Sequence, residues 1–289
     1  MTTVLDDNVF NIAVKGTFDD CQGIMKEIFR DLEFKGACSL GTVNSINWAR
    51  VLAQIVYYFY SAFRVQEATG AEKVRFSVPT GNFGDILAGY IASRMGLPVG
   101  KLVLATNEND ILSRFFNSGE YSLGTVVETI SPSMDIQVAS NFERYLYYKT
   151  GEDGAAISLM MDNFAESGSL SVDLSDDGSV DNLFAAGCGT TASTLETIRK
   201  VYAEHGYLLD PHTAVGVNVG LQHCADNEPM IYVSTAHPAK FSKAIKDAVG
   251  EDLAHHDILD GLAELPARCE VLSSEAQEVR RFITDTLKS

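Results

Sequence analysis

A strand–helix rhythm running from Lys73 to Tyr148 predicts an α/β protein with a mainly parallel, twisted sheet flanked by helices. Two further features support that class. An apolar strand runs through Pro79 into a glycine-bearing turn and then a helix, an order typical of open α/β sheets. Ahead of it lies a long apolar helical stretch that reads as a buried layer.

Taken in order, Phe10–Val14 has the pattern of a short strand and Gly16-Thr-Phe-Asp-Asp that of a turn. Cys21–Phe29 carries apolar residues at helical spacing (Ile24, Met25, Ile28, Phe29), and Lys35–Gly41 turns to small residues, a crossing between lobes. From Asn44, the positions Trp48, Val51, Leu52, Ile55, Phe59 and Phe63 recur at three and four, giving a long helix that is greasy on most sides. Strands are then expected at Lys73–Val78, Lys101–Ala105 and Thr125–Ile130. Helices are expected at Ile86–Met95 and Asp110–Asn117, with another ending over Asn141–Tyr148. Glu166–Asn182, rich in Ser, Asp and Gly, reads as a surface loop. Thr190–His205 is a helix that Gly206 can end in the left-handed conformation. Met230–Ser234 follows as a strand, Phe241–Val249 as a helix and Cys269–Leu272 as a strand. The final helix opens on a capping box, Ser274-x-x-Gln277.

Composition narrows the function classes. A chain of 289 residues with 46% apolar content can bury a large core. The net charge of −17 and the lack of a basic patch disfavour a nucleic-acid partner, whose phosphates need clustered Lys and Arg. A small anionic ligand stays open, since backbone N–H groups and a few Arg can make a positive site inside an acidic molecule. Five widely spaced cysteines with no C-x-x-C pair suggest neither a disulfide framework nor a zinc site, and the chain reads as cytoplasmic. Its most apolar stretch, Val51–Phe63, is shorter than the roughly 20 residues that span a bilayer, so no membrane partner is expected.

Among the motifs, Gly81-Asn82-Phe83-Gly84-Asp85 between strand and helix is the most informative. A helix start presents free N–H groups and the positive end of its dipole, and glycines let a backbone approach a phosphate closely. The plainer alternative is a tight turn with Asp85 as helix cap. Gly187-Cys-Gly-Thr-Thr-Ala192, with Asp210 about 20 residues on, fits the dinucleotide fingerprint formally. That reading fails because no convincing hydrophobic strand precedes it. Cys188 reads as a small buried thiol rather than a nucleophile. Asp173, Ser175, Asp177 and Gly178 imitate a calcium loop, but Phe184 stands where the bidentate Glu is needed. His212, His237, His255 and His256 lack metal-site spacing and read as structural, so no metal is expected.

Three blocks read together resemble the threonine synthase family. They are Gly16-Thr-Phe-Asp-Asp-Cys-Gln with Asn44-Ser-Ile-Asn-Trp-Ala-Arg50 and the Tyr57-Tyr-Phe helix, then Pro79-Thr-Gly-Asn-Phe-Gly-Asp85, then Asp210-Pro-His-Thr-Ala-Val-Gly216 with Ser234-Thr-Ala-His-Pro-Ala-Lys-Phe241. The resemblance runs over nearly the whole chain in the right order. It implies a tryptophan-synthase-β-like fold, pyridoxal 5'-phosphate fold type II, and conversion of O-phosphohomoserine and water to threonine and phosphate. Mapped onto matching positions, Gly81, Asn82, Phe83 and Asp85 should hold the cofactor phosphate, with Gly84 permitting the turn. A carboxylate beside a phosphate repels it, so Asp85 should turn its side chain away or cap the helix while its N–H serves the phosphate. Thr235 should offer its hydroxyl to the pyridine nitrogen, which would leave the ring a weaker electron sink than a carboxylate partner would. Ser45, Asn47 and Arg50 are candidates for the substrate, because a guanidinium fork matches phosphate oxygens. The alternative for Arg50 is a helix-surface ion pair.

The same resemblance implies an amino-terminal Phe-Lys-Asp lysine bonded to the cofactor and a Ser/Thr/Gly-rich loop gripping the substrate carboxylate. Neither is in this sequence: Phe34-Lys35 is followed by Gly36, and Lys240 belongs to the Ser234–Phe241 block. The expectation is therefore a carboxyl-terminal portion of such an enzyme, beginning at an internal Met, incomplete at the N-terminus and inactive by itself, with no catalytic residue of its own. Residues 1–40 would be a remnant of the small cofactor lobe and 41–289 the large lobe. Two alternatives remain: a non-catalytic remnant that binds an anion or a partner, and a related phospho-lyase acting on another phosphorylated amino acid.

Overall fold

The computed structural model describes residues 1–16 and 18–288, apart from the side chains at 18, 19 and 263. In chain order the elements are β1 (Ile12–Val14), α1 (Phe18–Arg30), α2 (Leu32–Ala37), α3 (Trp48–Thr69), β2 (Val74–Pro79), α4 (Gly84–Arg94), β3 (Val99–Thr106), α5 (Ile111–Ser118) and β4 (Glu120–Ser122). There follow α6 (Phe142–Lys149), α7 (Gly154–Ser167), β5 (Ser169–Ser171), β6 (Phe184–Cys188), α8 (Thr191–His205), α9 (Pro211–Gly220), β7 (Met230–Tyr232), α10 (Ser242–Val249), α11 (Asp257–Asp260), β8 (Glu270–Leu272) and α12 (Ala276–Lys288). The turn expected over residues 16–20 lies partly outside the described residues. None of the described helices is long and apolar enough to cross a membrane.

The chain forms two compact units, Val43–His255 and Met1–Thr42 with His256–Ser289. The boundary expected at residues 40/41 falls at 42/43, and residues 256–289 join the first forty instead of the larger lobe. The reason is pairing: β8 lies parallel to β1 with Ile12 opposite Glu270, and α1 packs on α12 around Ile24, Ile28, Ala276 and Val279. Arg280 closes that unit by a 2.6 Å ion pair to Asp31, which also caps α2.

In the unit 43–255 the four-stranded sheet is fully parallel, in the order β6-β3-β2-β7, and β4 and β5 form a separate antiparallel pair. β2 and β3 are central and buried almost throughout, as strands covered on both faces must be. The chain moves from β2 outward to β3 and β6, then returns to place β7 on the other side of β2. The strand order therefore reverses between β2 and β7. That switch point, beyond the carboxyl ends of the strands, is where open α/β sheets leave a crevice for ligands.

Several elements depart from the sequence pattern, each for a physical reason. β6 (Phe-Ala-Ala-Gly-Cys) carries no β-branched residue, yet it pairs with β3 from Leu102–Phe184 to Thr106–Cys188. α9 is buried on nearly every side and holds two glycines, so it has no amphipathic period to read. It can lie close on β2 because an added Cβ at Gly216 would meet Pro79 Cγ at 2.9 Å. α7, also not anticipated, is capped by Asp153 and ended by Gly168 at φ 73°. Residues 125–130 form no strand. Asn109 takes the place of a neighbouring strand: its side chain accepts from the Val127 N–H and donates to the Val127 carbonyl, both at 2.8 Å. α3 is not buried on most sides. Val51, Ile55, Tyr58 and Ala62 face the core while Leu52, Val56, Tyr57, Tyr60 and Phe63 are exposed. At the start of α12 the pair is Ser273 with Glu278, five residues apart, in place of the expected Ser274 and Gln277: Ser273 N–H donates to Glu278 at 2.8 Å and Glu275 N–H donates to Ser273 Oγ at 3.3 Å.

The fit of α9 on β2 gives a direct test. An added Cβ at Gly220 would lie 2.7 Å from Ser77 Cβ and from Tyr232 Cε1. Gly220→Ala is expected to lower unfolding free energy by about 2 kcal/mol in denaturant titration. Gly36→Ala, where nothing lies within 4 Å, should change it little.

Candidate functional site

The turn between β2 and α4 is held from below by one side chain. Phe83 sits at φ 62°, ψ 5°, the left-handed region, which costs a bulky residue about 1 kcal/mol. Its ring is fully buried among Phe116, Phe142, Tyr145 and Phe184, with centroids 5.6–6.2 Å away. Burying a Phe contributes roughly 2–3 kcal/mol, so the strained turn is held. The ring is thus a core residue, and only the Phe83 backbone remains to meet a ligand.

The two glycines of the turn answer close packing. An added Cβ at Gly81 would lie 2.6 Å from the Ser133 carbonyl oxygen, and one at Gly84 would lie 3.2 Å from Asn141 Nδ2. Ser133 is itself placed by a buried relay: its N–H donates to His212 Nε2 (3.3 Å), and His212 Nδ1 lies 3.0 Å from Asp210 Oδ1. Burial alone would raise the Asp210 carboxyl, but hydrogen bonds from His212 and Thr213 hold it below its ordinary value. Asn141, fully buried, ties the two sides of the site together. Its Nδ2 donates to the Asn82 carbonyl (3.0 Å) and the Ser45 carbonyl (3.1 Å), and its Oδ1 accepts from Arg144 (2.6 Å). Arg144 in turn donates to the Ile46 carbonyl at 2.8 Å.

These contacts enclose a cavity of about 120 Å³ lined by Ser45, Arg50, Gln54 and residues 79–86. That is some four water volumes at ~30 Å³ each, room for a phosphate-sized group. No side chain caps α4, and its first backbone bond runs from Leu87 N–H to the Phe83 carbonyl (3.1 Å). The N–H groups of Gly84, Asp85 and Ile86 precede that bond on the positive end of the helix, and all three residues line the cavity. The Asp85 side chain does not cap the helix. Tyr58 Oη, on α3, donates to the Asp85 carbonyl (2.9 Å) and to its Oδ1 (3.1 Å). Burial pushes the Asp85 carboxyl from its ordinary 3.8 up to about 6, the Tyr58 hydrogen bond offsetting this only in part.

Of the residues singled out in the sequence, Ser45, Arg50, Gly81, Asn82, Phe83 and Asp85 meet at this cavity. Arg50 donates to the Val43 carbonyl at 3.2 Å, and no carboxylate pairs with it among the described residues. Asn47 does not line the cavity: it caps α3, its Oδ1 accepting from the Ala49 N–H at 2.8 Å. Thr235 does not line it either. It lies just past β7, across the strand switch point from the turn. Its N–H donates to Thr213 Oγ1 (3.2 Å) and its side chain is exposed. Tyr58, Asn141, Arg144, Ser133 and His212 were not named as site residues from the sequence; of these, Tyr58 sat in the Tyr57-Tyr-Phe block and His212 in the Asp210–Gly216 block.

The remaining motifs resolve into structure. A strand does precede Gly187-Cys-Gly, contrary to expectation, but Asp210 is not the ribose-binding carboxylate, being the buried cap of α9. Cys188, expected to be buried, is an exposed residue at the end of β6, yet partial desolvation of its sulfur and the nearby Asp110 and Glu108 raise the thiol, the opposite of an activated nucleophile. His237 and His256 each cap a helical turn, and His255 bonds the Asp252 carbonyl. No cluster of potential metal ligands occurs among the described residues, and all five cysteines are free.

Comparison with known proteins bears on the same residues. Residues 213–283 match the family model "Threonine synthase, C-terminal". The chain is 47% identical over 287 residues to threonine synthase of Pseudomonas aeruginosa and 44% identical over 307 residues to that of Saccharomyces cerevisiae. Along nearly its whole length the chain is similar to threonine synthases. It superimposes on the pyridoxal-phosphate-bound threonine synthase of Brucella melitensis with a TM-score of 0.88 at 43% identity, and on the yeast enzyme with 0.86 at 41%. All of this chain is covered in both cases, with 62% and 61% of those structures. It spans about three fifths of the length of these relatives, 61% for P. aeruginosa and 60% for yeast.

Two measurements probe this geometry. Asn141→Ala leaves the Ser45 carbonyl without its donor and removes one of the two acceptors of Arg144, and is expected to cost about 2–3 kcal/mol in unfolding free energy. Asp85→Asn tests the buried carboxyl. A raised folded-state pKa means that the wild type carries no penalty below pH 3.8, an increasing one between 3.8 and about 6, and the full one above. Thermal unfolding at pH 4 and pH 8 should show the variant gaining on the order of 2 kcal/mol relative to wild type as pH rises.

Proposed function

We propose that this chain is the phosphate-holding part of a pyridoxal-5'-phosphate-dependent threonine synthase, which converts O-phosphohomoserine and water to threonine and phosphate in the cytoplasm. The observation that carries the reading is the small cavity at the uncapped start of α4, placed at the strand switch point in a chain similar to threonine synthases along nearly its whole length. The cavity fits an anionic head group: helix N–H groups line it, Arg50 adds a positive charge, and the Asp85 carboxylate is drawn toward Tyr58. When bound, the cofactor supplies an electron sink for the carbanionic carbons of the substrate.

The chain's own residues bind and orient. Residues 81–85 hold the cofactor phosphate through backbone N–H groups, with Asn82 kept in register by Asn141 and Ser140. Thr235, fixed by Thr213, offers its hydroxyl to the pyridine nitrogen from the neighbouring strand end. Ser45 and Arg50 face the substrate. Asn47 serves the substrate side indirectly, by capping the helix that carries Arg50. No lysine is among the residues lining the cavity, so within this chain the phosphate grip is the cofactor's attachment. The five free cysteines support the cytoplasmic assignment.

Titration of the purified chain with pyridoxal phosphate, followed by absorbance and with inorganic phosphate as competitor, tests the reading. Saturable binding that phosphate displaces is expected, with Gly84→Val abolishing it by pushing Asn141 away. Borohydride reduction and mass mapping should then find no single lysine labelled stoichiometrically. Binding indifferent to phosphate would refute the phosphate grip, and one fully labelled lysine would refute the assignment of attachment.

A further inference from the structure

We infer that Tyr58 is a positioning residue for this anion cavity, holding the Asp85 carboxylate out of the space an anion fills. The inference rests on the reading of residues 81–86 as a phosphate site. Asp85 lines the cavity on the first turn of α4, where an ionised carboxylate would occupy the positive end of the helix and repel an incoming anion. Tyr58 does not line the cavity. It lies behind the wall, 2% exposed, and donates a three-centred hydrogen bond to the Asp85 carbonyl and Oδ1 at 2.9 and 3.1 Å. One bond steadies the backbone of the first helical turn and the other rotates the carboxylate toward α3.

The fit of α3 on α4 is built for this contact. The Tyr58 ring lies over Gly89, one turn along from Asp85, so closely that an added Cβ there would be 2.5 Å from Tyr58 Cε1 and 2.8 Å from Cζ. Phe76 packs on the same ring with centroids 4.7 Å apart. The ring is thereby fixed on two sides, which leaves its hydroxyl no other direction to reach. Arg50, the cation lining the cavity, is occupied at the Val43 carbonyl rather than by Asp85, so it stays available to an anion while Tyr58 takes the carboxylate.

The test uses the full chain and inorganic phosphate, with affinity measured by calorimetry at pH 8 for wild type, Tyr58→Phe, Asp85→Asn and the double variant. Tyr58→Phe frees the carboxylate and should weaken phosphate binding about tenfold. Asp85→Asn should bind at least as tightly as wild type. The double variant should match Asp85→Asn, because once the charge is gone nothing needs to be held aside; a tyrosine that merely stabilises the fold would leave it as weak as Tyr58→Phe. Equal affinity of Tyr58→Phe and wild type, an unrescued double variant, or weaker binding by Asp85→Asn would each overturn the inference. Failure of wild type to bind phosphate would instead bring down the phosphate-site reading, and this inference with it.

Discussion

Phe83 is the constraint on which the site depends. A phenylalanine in the left-handed region would relax unless its side chain were fixed elsewhere, and here four aromatic rings fix it. Those rings come from α5, α6 and β6, elements distributed over a hundred residues, so the turn takes its shape only when the whole aromatic core has assembled. The backbone on either side of Phe83 then faces the cavity while the ring faces the core. Strain in the turn and stability of the core are the same set of contacts viewed from opposite sides.

Around that pin, the polar groups are arranged so that few are left to compete for an anion. Asn141 takes the Asn82 and Ser45 carbonyls, which would otherwise present negative dipoles near the cavity. Tyr58 takes the Asp85 carboxylate, and the Asp210–His212 pair sets the Ser133 segment against Gly81. The N–H groups of the α4 start and the Arg50 guanidinium are left facing the cavity. In a chain with net charge −17 the field at such a cavity is set by dipoles within a few ångströms, whereas distant surface carboxylates are screened by solvent.

The glycines illustrate how one residue type serves different needs. Gly81, Gly84, Gly89, Gly216 and Gly220 are all places where another group comes too near for a Cβ, and none of them has a positive φ. From the sequence, Gly81 and Gly84 read as a phosphate approach. In the structure they are first of all points where the Ser133 carbonyl and the Asn141 amide press against the turn. Those neighbours draw the backbone into the curved wall that lines the cavity.

The sequence by itself determined the class of fold and the position of the strand–turn–helix that lines the candidate cavity. The helix–strand rhythm, the order Pro79-Thr-Gly-Asn-Phe-Gly-Asp and the Asp210-Pro-His-Thr block all depend on local spacing, which a single chain displays directly. Elements whose signal is not local stayed hidden. β6 is a strand because β3 pairs with it, α9 is a helix whose glycines only make sense against β2, and Asn109 stands in for a strand that the apolar run at 125–130 had suggested. The same division runs through the site. Six of the eight candidate residues lie at the cavity because they sit within a few positions of the turn or of the helix packed on it, while Asn47 proved to be a cap. The partners that orient them, Tyr58, Asn141 and His212, act across separations of 27, 59 and 79 residues. Contacts of that range are chosen by packing, and packing was decided only when the sheet and its helices closed on one another.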